Sequence, residues 1–179
     1  EQIDNSKDKK VIAIRGYSGC GKSEITYQLR EVIKDNCIIL HLDDYYFSHP
    51  DKREEERKLI GIIGQKELNW HRINHAINIF IDNDYLILKK FNKYVNNYID
   101  VIYPVPKKCN LLVEGLFALN CFSCDYYFHI DSTYAKTEDF RRERGKEKMT
   151  DFRKKVLAIE KRNIDYFLQQ KKDKVIIIK

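Results

Sequence analysis

Residues 16–23 read GYSGCGKS and carry the residue types that hold phosphate. Gly16, Gly19 and Gly21 admit backbone angles closed to other residues, so successive N–H groups can turn inward as an anion-binding nest. A helical pattern starts at Lys22, and the positive amino end of a helix there adds to the same cup. The GxxxxGK[ST] spacing then brings the Lys22 ammonium to the β and γ phosphates of a nucleoside triphosphate and the Ser23 hydroxyl to one position on Mg²⁺. The expected nucleotide-contacting set is Gly16, Ser18, Gly19, Cys20, Gly21, Lys22 and Ser23, with Glu24 at the head of the helix. Cys20 fills a variable place as a small side chain; as a thiolate it would be open to oxidation.

A second group suits an acceptor. The run CIILHL at residues 37–42 is followed by Asp43 and Asp44, at the carboxyl end of a strand, where open α/β sheets form their ligand crevices. A carboxylate there can accept the proton of an attacking hydroxyl, and Tyr45, Tyr46 and Phe47 offer flat surfaces for a ring. The same string also reads as a turn with an exposed acid pair and core aromatics. A GTPase would need NKxD and DxxG elements; Asn92-Lys93-Tyr94-Val95 lacks the aspartate, and no DxxG is present.

These groups need a scaffold, and the apolar pattern supplies one. Strand-length runs alternate with helical periodicity, which predicts an α/β fold with a mainly parallel sheet. Strands are expected at residues 11–15, 37–42, 111–113, 126–130 and 175–178, and helices at 22–34, 72–80, 135–148 and 151–170. Residues 85–91 and 98–103 pair as a small β excursion, closed by Pro104 and Pro106. Residues 51–58 read as an exposed helix, with Glu54 and Lys58 four apart.

Composition narrows the partners. No apolar run spans a membrane and the start EQIDNSKDKK is too polar for a signal peptide, so the expectation is a cytoplasmic protein with no membrane partner. Five scattered cysteines fit reduced thiols; Cys121 and Cys124 form a lone CxxC, which reads as small half-buried thiols or as a metal or redox pair. Of the net charge of +6, all the excess lies between Lys136 and Lys174, with 14 basic and 8 acidic residues. Such a segment clamps polyphosphate, lies on nucleic acid or forms a solvated helical face. The interleaved acids and the lack of a nucleic-acid module argue against nucleic acid.

The octet, LDDYYF (42–47), LNWHR (68–72), LLVEGLFAL (111–119), FHID (128–131), RRERG (141–145) and the closing KDKVIIIK run in an order that resembles the uridine kinase family of P-loop kinases, near phosphoribulokinase. The resemblance implies a three-layer P-loop NTPase fold with helices on both faces of the sheet and a helical lid at about 134–150. It implies one kinase domain over 11–179 after a polar tail at 1–10, with the acceptor region at about 43–106. By the same likeness Asp43 is the catalytic base, also close to the metal; Glu114 helps hold hydrated Mg²⁺ with Ser23; and Arg141, Arg142 and Arg144 close over the transferring phosphate beside Lys22. Asp43, Tyr46, Trp70, His71 and Phe91 line the acceptor pocket.

The implied activity is Mg²⁺-dependent phosphoryl transfer from ATP to a primary hydroxyl of a small molecule, a nucleoside in the family, by a chain that can self-associate. A nucleotide-binding regulatory protein and a kinase for a non-nucleoside acceptor are the alternatives. The likeness departs at three places. His71 stands where the family reads ribose hydroxyls with an acid, and an imidazole does not reproduce a carboxylate accepting two hydroxyl protons. Asp139 stands in the place of an arginine, and Phe91-Asn92-Lys93 replaces a tyrosine-acid-aromatic triplet. Fold and donor chemistry carry over; acceptor identity does not.

Overall fold

Strand β1, Lys9–Arg15, is built on the apolar run Val11 to Ile14, and its inner residues are all buried. A strand buried on both faces belongs in the middle of a parallel sheet. The computed structural model, which describes residues 8–33, 36–143 and 150–178, puts it there. In chain order β1 is followed by α1 (Lys22–Val32), β2 (Asn36–His41), α2 (Arg53–Ile60) and α3 (Trp70–Asp82). Next come β3 (Tyr85–Asn92), β4 (Asn97–Pro104), β5 (Cys109–Glu114), β6 (Tyr126–Ile130), α4 (Glu138–Glu143), α5 (Asp151–Gln170) and β7 (Val175–Ile178). Five strands form one sheet in the order β2-β5-β1-β6-β7 with every pairing parallel, while β3 and β4 form a separate antiparallel hairpin.

Alternation along β1 divides the core into two layers, because successive side chains of a strand point to opposite faces. Val11 and Ala13 join Leu40, Leu111 and Val113 on one face, packed with Ile73, Ile77 and Phe80 of α3 and Ile164 of α5. Ile12 and Ile14 join Ile39 and Leu112 on the other, against Ile25 and Leu29 of α1. Helices thus cover both faces, as the alternating pattern predicts. The longer helices start on side-chain caps: Asn69 Oδ1 accepts from the Arg72 amide (3.0 Å), and Thr150 Oγ1 from the Arg153 amide (3.1 Å).

Several boundaries move. The first strand begins at Lys9, so Lys9 and Lys10 are strand rather than tail. Lys9 Nζ donates to the carbonyls of Phe80 (3.0 Å) and Asn83, placing a cation on the negative end of α3. Helix α1 ends at Val32, with Ile33 already extended. Leu42 opens a 3₁₀ turn, Leu42–Tyr45, instead of closing β2. The helical pattern expected at 135–148 holds α4, and residues 144–149 lie outside the described residues. Among the described residues no helix is long and apolar enough to cross a membrane.

Leu111 is fully buried in the central layer, so Leu111→Ala is expected to cost about 2–5 kcal/mol in urea unfolding. Lys58→Ala removes the exposed 3.0 Å pair with Glu54 and a 5.3 Å contact of the ammonium with the Phe152 ring, and is expected to change stability by less than about 1 kcal/mol. Equal losses for the two variants would contradict this placement of the core.

Candidate active site

The parallel sheet directs all its carboxyl ends to one side, and the chemistry-bearing residues collect there. β1 runs straight into the glycine loop. Gly19 and Gly21 both have φ of +81°, the left-handed region, as a nest requires. Gly16 is needed for a different reason: Cys20 Sγ occupies the space its Cβ would take, and Lys22 Cγ would lie at 3.1 Å. Lys22 Nζ donates to the Tyr17 carbonyl (3.2 Å), folding the side chain back over the loop. Burial raises the Cys20 thiol above its ordinary pKa, with Lys22 opposing, so a free thiolate is not favoured at this position. Glu24 is exposed on the first turn of α1, whose amino end has no side-chain cap.

Behind the loop, Arg15 is 1% exposed and its guanidinium contacts the ring of His129 on β6 (Nη1 to Nδ1 2.6 Å, to Nε2 3.0 Å). The two residues are register neighbours on adjacent strands. Burial first, and the Arg15 charge second, lower the His129 pKa to about 4.

Ser23 and Glu114 meet at the mouth of the loop. The Ser23 hydroxyl donates to the Glu114 carboxylate (3.3 and 3.4 Å), which also lies 2.6 Å from His41 Nδ1 on β2. Burial alone would raise the Glu114 pKa; the hydrogen bond and charge of His41, the Lys22 ammonium and the Ser23 hydroxyl outweigh it, and the pKa is lowered. The group stays ionised. Hard oxygens from one hydroxyl and one nearby carboxylate suit Mg²⁺, which keeps most of its waters and takes phosphate oxygens in place of a protein cage. Among the described residues no cluster of three His, Cys, Asp or Glu side chains could hold a metal by itself. The CxxC pair lies at the opposite, amino-terminal end of the sheet: Cys121 is buried, and a hydrogen bond with Cys124 together with burial raises its pKa.

The 3₁₀ turn after β2 separates the two aspartates, since consecutive residues of such a turn point about 120° apart. Asp44 faces the hairpin, accepting from the Phe91 amide (3.1 Å) and lying 3.9 Å from Lys90 Nζ. Asp43 instead faces a cavity of about 270 Å³ that Ser18 and Lys22 of the glycine loop also line. The rest of that wall is Tyr46, Pro50, Leu116, Glu54, Glu160 and three arginines, Arg53, Arg57 and Arg153.

Sequence reasoning missed these arginines. Residues 51–58 read as an exposed helix, and Glu54–Lys58 is indeed exposed. On the same helix, however, Arg57 is buried, gripping Glu67 through two bonds (2.6 and 3.0 Å) and Glu160 at 3.4 Å. Glu160 is itself 3% exposed, and burial raises its pKa against the opposing charges of Arg153 and Arg57. The available signal was its spacing: Glu160 falls midway between Val156 and Ile164 on the apolar stripe of α5.

The expected acceptor residues divide. Tyr46 lines the cavity, but it is 4% exposed and the Arg53 guanidinium covers its ring at 3.7 Å, so it offers no free face for stacking. Tyr45 is buried with its hydroxyl accepting from the Lys89 amide, leaving Phe47 as the exposed ring of the three. Trp70 starts α3, its indole N–H donating to the Gln65 carbonyl (2.8 Å). His71 is exposed and stacks on His75 (6.4 Å), and Phe91 packs between His49 and Tyr98. Trp70, His71 and Phe91 are not part of the cavity wall that Asp43 shares with the loop.

On the lid side, α4 packs directly on the glycine loop: a Cβ at Gly19 would meet Arg141 Cγ at 3.1 Å and the Thr137 carbonyl at 3.2 Å. Arg141 is buried, donating to the Tyr134 carbonyl (2.9 Å) and to Thr137 Oγ1. The side chain of Arg142 and all of Arg144 lie outside the described residues.

No protein-family model matches the chain, and neither does the sequence of any curated protein. Solved structures match in fold. A "possible uridine kinase" from Bacillus stearothermophilus aligns at 14% identity and a TM-score of 0.63, over 99% of this chain and 91% of that one. A "putative fructose transport system kinase" from Silicibacter sp. TM1040 aligns at 13% identity and 0.67, over 92% and 88%. Phosphoribulokinase from Rhodobacter spheroides aligns at 11% and 0.63, over 85% of this chain and 63% of that one. The chain therefore shares the three-layer fold of these solved structures, a parallel sheet with helices on both faces.

Because His129 is held neutral, the folded protein takes up its proton only near pH 4 whereas the unfolded chain does so near 6.5. Stability is expected to be retained above that window and to fall as pH drops through it. His129→Gln should flatten this slope by about one proton in urea titrations at stepped pH; parallel slopes for variant and parent would contradict the assignment.

Proposed function

We propose that the chain transfers the γ-phosphoryl group of ATP to a hydroxyl of a small acceptor. The observation that carries this reading is that the Asp43 carboxylate shares one cavity with Ser18 and Lys22 of the glycine loop. The loop amides and Lys22 hold the donor phosphates, and Asp43 orients the acceptor hydroxyl and takes its proton. The hydroxyl oxygen forms a bond to the γ-phosphorus as the bond from that phosphorus to the β–γ bridging oxygen breaks, and ADP leaves with the electron pair. Ser23 and Glu114 would hold Mg²⁺, which when bound would supply charge neutralisation for the phosphates. Thr137 and Arg141 of the segment packed on Gly19 keep water from the loop, so that hydrolysis does not compete. A nucleoside acceptor, which the family likeness implies, has little support from the cavity wall, since of its five expected residues only Asp43 and Tyr46 contribute.

General-base assistance is worth about 10²–10⁴-fold, and correct positioning much more. Asp43→Asn is therefore expected to lower kcat by about 10²–10⁴-fold while leaving nucleotide affinity near its parent value. Lys22→Ala lowers both. An ADP-release assay across an acceptor panel measures this. Parent-like kcat/KM in Asp43→Asn would remove Asp43 as the base, and tight ATP binding with no acceptor-dependent ADP release would leave a nucleotide-binding protein without transfer activity.

A further inference from the structure

The cavity wall next to Asp43 carries a cation for which the transfer reaction as described has no use. Arg53 begins α2, and its guanidinium carbon lies 3.7 Å from the centre of the Tyr46 ring, with Tyr98 of the hairpin beside it. Tyr46 stands three residues after Asp43 at the end of the 3₁₀ turn, and in that geometry residues three apart lie one above the other. Arg53 is therefore on the acceptor side of the cavity, across from the loop that holds phosphate.

The arginines of this wall are not equivalent. Arg57 spends its fork on Glu67 and Glu160, and Arg153 lies 4.0 Å from Glu160. Among the described residues no carboxylate is within ion-pair distance of Arg53. Lys89 adds a second positive charge nearby: its ammonium donates to the Tyr46 carbonyl (3.1 Å), and its pKa is lowered by burial and by the charges of Arg72 and Arg53. Arg53 lines the cavity, while Lys89 stands behind it on the Tyr46 carbonyl and the Tyr98 ring, so the positive charge at this wall is not neutralised by its neighbour. A planar guanidinium pinned on a ring offers its edge to a carboxylate or phosphate in two parallel bonds. At about 270 Å³ the space is at the small end for ligand pockets.

Resting on the kinase reading above, we infer that the acceptor is a compact hydroxylated anion, a carboxylate or phosphate monoester, whose charged group is taken by Arg53 while its hydroxyl faces Asp43. This also accounts for the covered ring of Tyr46. The wall presents a cation where a base-stacking site would present an aromatic face.

Matched pairs test this: glycerate against glycerol, and ribose 5-phosphate against ribose, with uridine as the neutral nucleoside. Each is assayed for ADP release with Mg·ATP and for thermal stabilisation of the Mg·ADP-loaded protein, in the parent and in Arg53→Met. Met keeps a long unbranched side chain beside Tyr46 and removes the charge. The expected result is that at least one anionic member turns over or stabilises the parent at least about tenfold more effectively than its neutral partner, and that Arg53→Met erases the preference by raising the half-saturating concentration of the anion about tenfold or more with ATP KM unchanged. The first pair isolates a carboxylate and the second a phosphate. Preference for uridine or another neutral member, no response to any anion, or an anion preference that survives Arg53→Met would overturn the inference. A neutral acceptor that turns over would leave the kinase reading standing, and loss of Mg·ATP binding in the parent would remove that reading independently.

Discussion

Glu114 ends β5 between two neighbours, Ile14 of β1 and His41 of β2, and that register is what the site depends on. β5 is buried at all six of its residues and pairs in parallel with both strands. Sliding either neighbour by one residue would turn its core side chains to the other layer, so burial holds the alignment tightly. The consequence is chemical: the strand that launches the glycine loop and the strand that delivers Glu114 end at the same level. The Ser23 hydroxyl then reaches the Glu114 carboxylate without any long side chain having to span a gap. The Gly115 amide, donating to the Ile14 carbonyl at 3.1 Å, extends the same pairing one step past the strand.

A second constraint is electrostatic and joins parts far apart in sequence. Glu160 on α5 lies close to Arg57 and Arg153 and accepts the Tyr134 hydroxyl at 3.0 Å, so one buried carboxylate ties α2, α5 and the segment before α4 together. Isolated in a low-dielectric core such a charge would be expelled or neutralised. Here three donors converge on it, and removing one would strand the rest. The network fixes the back wall of the cavity and leaves Arg53, on the same helix as Arg57, turned to the space beside Asp43.

Much of the scaffold is legible along the chain. The strands at 126–130 and 175–178 and the helix at 151–170 fall where the pattern puts them, because runs of aromatic or β-branched residues and long amphipathic stripes are local properties. The hairpin is equally local, since β3 and β4 are joined by a short turn whose Asn92 side chain accepts from the Tyr94 amide (2.9 Å). The glycine loop is the most legible part of the site, for its geometry is set by eight adjacent residues. Errors concentrate where one residue serves two masters. His71 follows the cap residue Asn69 and reads as part of an acceptor motif, yet its position on the first turn of α3 turns it outward. Asp43 and Asp44 are indistinguishable as text and opposite in space.

What the sequence by itself determined is therefore the order of elements, the alternation that sends apolar residues to two layers, and the phosphate-holding loop, all consequences of neighbours within a few residues. Tertiary structure alone decided which charged residues share a cavity. Arg53, Arg153 and Glu160 meet Asp43 and Lys22 only after α2 and α5 have come together through the Arg57–Glu160 pair. The free energy of a buried charge depends on partners that chain order does not reveal.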